Sequence, residues 1–110
     1  MNELHKYIFI LSLTCFVFSQ NLSSVMGIIK SEKDLYPLEG ANITLEKENG
    51  EMIGTSSDKE GKFIFKSINS GNYQLSISFI GYQTFTENLN LESKQNYSID
   101  VILSIESVLM

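Results

Sequence analysis

Arginine and tryptophan are missing from this 110-residue chain, and histidine, cysteine and proline occur once each. The acidic residues number 13 against 8 basic ones, for a net charge of -5. A chain without arginine and with this balance lacks the cationic footprint that binds nucleic acid phosphates. Its acidic surface repels anionic lipid and favours solubility. The single histidine, His5, and the single cysteine, Cys15, both fall within the first twenty residues. Beyond them the chain has no imidazole base, no thiol nucleophile, and no nitrogen or sulfur ligand for a metal.

The opening segment reads as a targeting sequence. His5 and Lys6 make a short basic start, diluted by Glu3, and Tyr7 to Phe18 is an apolar run too short to cross a bilayer. Val17 and Ser19 satisfy the small-residue rule at the third and first positions before a cut. A signal peptide over 1–19 is therefore expected, leaving Gln20 as the new N-terminus. A lipoprotein signal would place a leucine three residues before Cys15 and a small residue just ahead, where Ser12 and Thr14 stand. Removal of 1–19 takes away the only thiol, so no disulfide can staple the remainder. The core must then hold the fold alone, which about ninety residues can just do.

The rest of the chain alternates. Hydrophobic content of 43% and charged content of 19% suit a globular domain and argue against disorder. Ser24 to Ser31 reads as a first strand with Val25, Gly27 and Ile29 on one face. A charged loop from Glu32 to Glu39 contains Pro37. Ala41 to Lys47 comes next, through Ile43 and Leu45. Asn49-Gly50 predicts a type I′ hairpin turn into Met52 to Ser57, with Ile53 and Thr55 alternating. Asp58 to Gly61 predicts a turn in which the Asp side chain bonds backbone amides and glycine takes the left-handed position. A strand from Lys62 to about Ile68 presents Phe63 and Phe65, and Asn69 to Asn72 should close a hairpin. Tyr73 to Ile80 is expected to be the longest and most apolar strand, central in its sheet and ended by Gly81. Tyr82 to Leu91 puts Glu87 on one face with Phe85, Leu89 and Leu91, which predicts a bulge or bend near Glu87. Tyr97 to Leu103 closes the series through Ile99, Val101 and Leu103. Seven short strands at regular spacing, with no helical period, predict an all-β domain over 24–104: a seven-stranded antiparallel Greek-key β-sandwich.

Candidate chemistry is sparse. No serine sits in a G-x-S-x-G elbow, and the carboxylates that could make an acid pair fall in expected loops and solvent faces. No catalytic residue, cofactor site or metal site is expected. Asp58 and Glu60 offer two or three oxygens where calcium takes six to eight, so their part is the turn. Tyr36, Tyr82 and Tyr97 are the aromatics a glycan could stack on, whereas Tyr73 lies on the apolar face and belongs to the core. Sequons begin at Asn21, Asn42 and Asn96, and matter only in a eukaryotic secretory route.

Three motifs together resemble a known family. Pro37-Leu38-Glu39-Gly40-Ala41-Asn42-Ile43-Thr44-Leu45 resembles a P-L-x-G-A-x-V-x-L strand entry. Asp58-Lys59-Glu60-Gly61-Lys62-Phe63 resembles a D-x-x-G-x-F turn, with Ser57 where threonine is usual. Gly71-Asn72-Tyr73-Gln74-Leu75 followed by Ser78-Phe79-Ile80-Gly81-Tyr82 resembles G-x-Y-x-L-x-x-S-x-x-G-Y. These are the marks of the carboxypeptidase-regulatory-like, transthyretin-like domain, and they cover about Val25 to Leu103. The resemblance implies structural roles for Pro37, Gly40, Asp58, Gly61, Phe63, Gly71, Tyr73, Leu75, Gly81 and Tyr82. A signal followed directly by this domain is similar to the start of TonB-dependent outer-membrane receptors of the Bacteroidetes type, and the tail 105–110 resembles the beginning of a linker to a plug domain. That setting implies an exported, non-catalytic domain in the periplasm or at the outer membrane. Its partners would be a receptor plug and barrel or energy-coupling proteins, with no transmembrane span of its own. Two other expectations stay open: a stand-alone glycan- or surface-binding module, and a regulatory domain associated with a peptidase.

Overall fold

The computed structural model describes residues 22–107. The expected signal peptide and the last three residues of the tail lie outside the described residues. Seven strands succeed one another without a helix: β1 (Ser23–Ser31), β2 (Asn42–Lys47), β3 (Met52–Ser56), β4 (Lys62–Ile68), β5 (Gly71–Ser78), β6 (Phe85–Leu91) and β7 (Asn96–Leu103). They form a three-stranded sheet in the order β4-β1-β7 and a four-stranded sheet in the order β3-β2-β5-β6. The inward positions of the two sheets meet in one core. Val25, Ile29, Phe63, Phe65, Val101 and Leu103 come from the first sheet, and Ile43, Leu45, Tyr73, Leu75, Ile77, Leu89 and Leu91 from the second. Each fully buried aliphatic side chain here stabilises the fold by roughly 1.5–3 kcal/mol relative to exposure. The period-2 alternation of the sequence thus becomes the two-layer packing directly.

The strand count and facing agree with the sequence, but several local expectations need correcting. The pairing is antiparallel except between β1 and β7, which run parallel over eight residue pairs from Ser24↔Asn96 to Ser31↔Leu103. Local pattern cannot reveal this, because strand direction at a sheet edge depends on how the chain returns. The Asn49-Gly50 turn is not type I′: Gly50 has φ +92 while Asn49 stays out of the positive region. Gly50 N donates to Lys47 O at 3.0 Å, and Lys47 N donates to Glu51 O at 2.8 Å. The loop is therefore a three-residue turn with its left-handed residue last. Asn49 Oδ1 instead accepts from Glu51 N at 3.0 Å.

Asn69–Asn72 is not a hairpin. β4 belongs to the three-stranded sheet and β5 to the other, so the chain arches between layers. Tyr73 fastens this arch, donating its hydroxyl to Asn69 O at 2.7 Å. The fifth strand stops at Ser78, and the longest is β1 with 9 residues. β6 runs from Phe85 with unbroken register against β5, so the bulge expected near Glu87 is absent. The register break falls between β1 and β4, where the chain passes Ser67 at φ +60. Glu87 remains on the inward face of an edge strand, and its Oε2 is buried with no hydrogen-bond partner among the described residues.

Candidate docking surface

The Asp58 turn forms as the sequence implies. Asp58 Oδ1 accepts from Glu60 N and Lys62 N, both at 2.9 Å. Gly61 turns the chain at φ +76 and gives its carbonyl to Ile29 N at 2.8 Å. Lys62 Nζ pairs with Glu60 Oε2 at 2.8 Å, and this carboxylate raises the lysine's pKa above its usual 10.5. Both acidic groups are thus engaged within the turn. Among the described residues no cluster of three His, Cys, Asp or Glu side chains could hold a metal ion.

Two of the sequence motifs interlock. Pro37 bridges to Lys30, and Leu38 N donates to Ile29 O at 2.9 Å. Gly40, at φ +83, donates its N–H to Ser57 O at 2.9 Å. The buried Ser57 hydroxyl donates to Leu38 O at 2.6 Å and accepts from Ala41 N at 2.9 Å. The residue standing where threonine is usual therefore satisfies two backbone groups of the Pro37–Ala41 loop, a task that needs only a hydroxyl. Phe63 lies over Gly27, where a Cβ would press on its ring. At the far end of the sandwich Gly71 (φ +150) and Tyr73 build the arch, and Leu75 lies further along β5 in the core.

The Gly81-Tyr82 pair sits with the first two motifs, at the end where β1 and β7 finish. Tyr82 packs its ring on Phe79 with centroids 5.7 Å apart, and its hydroxyl shares a 2.7 Å hydrogen bond with Ser31 Oγ. Its backbone bridges to Ile105. Gln83 N donates to Ser104 O at 2.8 Å, and Glu106 N to Gly81 O at 3.0 Å. Glu32 Oε2 accepts from Ile105 N at 2.9 Å. Residues 104–106 are therefore bonded into the body of the domain.

Three segments are thereby stitched together at this end: 31–37, 79–83 and 104–106. They carry an unusual share of exposed apolar side chains: Leu35 (57%), Tyr36 (70%), Ile80 (91%) and Ile105 (42%). Leu35 is held at φ +60, a conformation leucine rarely adopts, and its N–H donates to Ser31 O at 2.9 Å. Glu32, Asp34 and Glu106 supply negative charge on the same segments, against Lys33 alone. Of the three tyrosines a glycan could use, Tyr36 and Tyr82 lie at this end. Tyr97, second in β7, lies at the opposite end, half-buried on the inward face, so the three do not share a platform. Sequence reasoning does not find Leu35, Ile80 and Ile105 as surface residues. Ile80 next to Gly81 is the one available signal, since the alternation ends there.

A family model described as CarboxypepD_reg-like domain matches residues 25–110. The chain belongs to that family. No curated protein matches the chain. Among solved structures, this CarboxypepD_reg-like domain is similar to the Bacillus anthracis TIE protein, with TM-score 0.65 and 15% identity over 77% of this chain and 17% of that one. It is similar to BcpA, the major pilin subunit of Bacillus cereus, with TM-score 0.64 and 14% identity over 78% and 31%. The 5-hydroxyisourate hydrolase of Klebsiella pneumoniae matches with TM-score 0.63 and 15% identity over 76% and 85%. At such identities the likeness shows the fold alone. The chain spans well under half the length of the TIE protein and the pilin. Enzymes and structural subunits share this sandwich, and fold does not decide between them. The CarboxypepD_reg-like domain seen here has its motif residues in turns, arches and core, and none of them forms a nucleophile–base pair.

Proposed function

We propose that this chain is a non-catalytic docking and spacing module exported to the cell envelope, placed as the N-terminal extension of a TonB-dependent outer-membrane receptor. The observation that carries the docking role is the stitched end bearing Leu35, Tyr36, Ile80 and Ile105. Exposed apolar side chains on loops held by a rigid scaffold suit recognition of another protein. The acidic groups around them favour a partner with an apolar centre and a basic surround. The spacing role rests on the path of the chain. It enters at Ser23 and leaves past Leu103 at the other end. The domain therefore holds whatever follows it a strand's length away from the processed N-terminus, roughly 30 Å at about 3.3 Å per residue. Among the described residues no helix is long and apolar enough to cross a membrane.

Photo-crosslinking from position 36, exposed at the same end, tests this reading in envelope preparations. Ile80 stays available for substitution, and capture of a receptor plug or barrel, or of an energy-coupling protein, with loss of capture in Ile80→Glu, is the expected result. Capture of a hydrolase instead would move the chain to the peptidase-associated reading. Saturable glycan binding lost with Tyr36→Ala would move it to a glycan-binding one.

A further inference from the structure

We propose that the open edge of β7 seats a strand donated by another protein: an extended segment with apolar side chains at alternate positions and a lysine or arginine among them. The two sheets differ in width, three strands facing four. β3 and β4 lie side by side at one flank, joined by the short Asp58 turn. The surplus strand is therefore β6, at the opposite flank, where the smaller sheet ends at β7. A strand added beside β7 would lie across from β6 and make the layers equal. Burial marks the same place. Leu75 and Ile77 are fully buried, whereas their partners on β6, Glu87 and Phe85, are half-buried. On β7, Tyr97 and Ile99 are half-buried too, although they share the inward face with buried Val101 and Leu103. This flank is separate from the Leu35–Ile80 surface, and the inference does not rest on docking there.

β7 is also the least defended sheet edge. Short length, lysines, irregular register and inward charge all discourage unwanted pairing. β3 has only 5 residues, β4 carries Lys62 and Lys66 and loses register with β1, and β6 turns Glu87 inward. β7 has 8 residues in unbroken register with β1, no proline, no lysine, and Asp100 as its one charge. Ser24 N donates to Gln95 O and Glu32 N to Leu103 O, both at 3.0 Å. Alternation along this ladder turns the N–H and C=O groups of Ser98, Asp100 and Ile102 away from β1, to the open side. The β6–β7 turn bounds that side at one end and the Tyr82–Ile105 bridge at the other, so the opening is about as long as β7.

Glu87 sets the chemistry of the occupant. Its Oε2 is buried on the inward face of β6 without a hydrogen-bond partner among the described residues. A wholly apolar strand would seal this carboxylate from water uncompensated, whereas a cationic side chain would pair with it. A second copy of this chain pairing through its own β7 brings Asp100 and no lysine, so it leaves Glu87 unmatched. A free extended segment of a different protein can bond the edge through its main chain, cover Phe85 and Ile99 with apolar side chains, and place a cation at Glu87.

Titration of the exported chain, residues 20–110, with dye-labelled capped peptides tests this. One peptide alternates valine with threonine and carries lysine at its central valine position, and a second carries glutamate there. Fluorescence anisotropy should show saturable binding of the lysine peptide, tighter than the glutamate peptide by about tenfold or more, because a like charge opposite Glu87 repels. Glu87→Gln should bring the two affinities within about threefold of each other. Amide hydrogen exchange should slow at Ser98, Asp100 and Ile102 in the complex, and this readout needs no substitution if Glu87→Gln does not fold. Absence of binding, equal affinity of the parent for both peptides, or binding without protection of those amides overturns the proposal. A preference for lysine that survives Glu87→Gln removes Glu87 from it. A dimer of the chain alone with the same amides already protected also overturns it, since a second copy then fills the edge.

Discussion

At Gly61 two constraints coincide. Its φ of +76 is costly for any residue with a Cβ, and a Cβ there would overlap the Ile29 carbonyl oxygen and touch Pro37. Gly81, at φ +85, shares the first constraint but faces open space. A left-handed conformation alone costs an alanine roughly 1–2 kcal/mol. Gly81→Ala should therefore lose about 1 kcal/mol, whereas Gly61→Ala should lose clearly more, because backbone rather than a movable side chain stands in the way. Urea midpoints of the two variants against the parent decide this, and equal losses would mean that β1 shifts freely. The two glycines look alike in the sequence, each at a strand boundary. The motif marks both as turn residues, but only the fold brings Ile29 and Pro37 against one of them.

Among the elements, β6 departs most from its own pattern. Its register with β5 is regular, so Glu87 points inward from an exposed sheet edge with Oε2 buried and unpaired among the described residues. Burial first, and then the Glu87 charge, hold the Tyr97 hydroxyl above its ordinary pKa of 10.0. A group raised in this way stabilises the fold below pH 10 and loses that contribution as pH climbs through the folded value. The alkaline decline in stability should accordingly be shallower in Glu87→Gln than in the parent. Glu87→Leu should raise stability by about 1 kcal/mol, since an unsatisfied buried oxygen is removed. It should also increase aggregation, because inward charge on an edge strand discourages pairing with another sheet. Denaturation and light scattering on the same samples check both effects, and gain without aggregation would remove the guarding role. The sequence pattern locates the conflict at Glu87 correctly and resolves it wrongly. A bulge and an inward carboxylate leave the same trace in a period-2 reading, and which one occurs depends on the neighbouring strand. The Asn69–Asn72 arch is missed for a related reason: turn residues announce a reversal but not which sheet receives the next strand. By contrast the Asp58 turn is readable in full, because all its bonds are local.

Across the whole molecule, stability and docking occupy separate surfaces, and that separation is testable. Core membership is plain from alternation: Leu75 is fully buried at the centre of the four-stranded sheet, as its place between Tyr73 and Ile77 implies. The surface at the exit end is not, since it combines side chains from loops far apart in sequence. Nothing in Leu35 or Ile105 taken singly distinguishes it from a core residue. Leu75→Ala should cost about 2–5 kcal/mol, the usual range for emptying such a site. That is a large fraction of a small domain's total, so partner capture would be lost with the fold. Ile80→Ala removes a side chain that is 91% exposed and should change stability by no more than about 0.5 kcal/mol. If the stitched end is where a partner seats, the same variant should weaken crosslinked capture severalfold while its denaturation curve overlays that of the parent. Unchanged capture with Ile80→Ala, Leu35→Ala and Ile105→Ala combined would show that the partner binds elsewhere on the sandwich. A matched fall in stability and capture would instead place Ile80 among the residues that hold the Gly81–Tyr82 turn in shape.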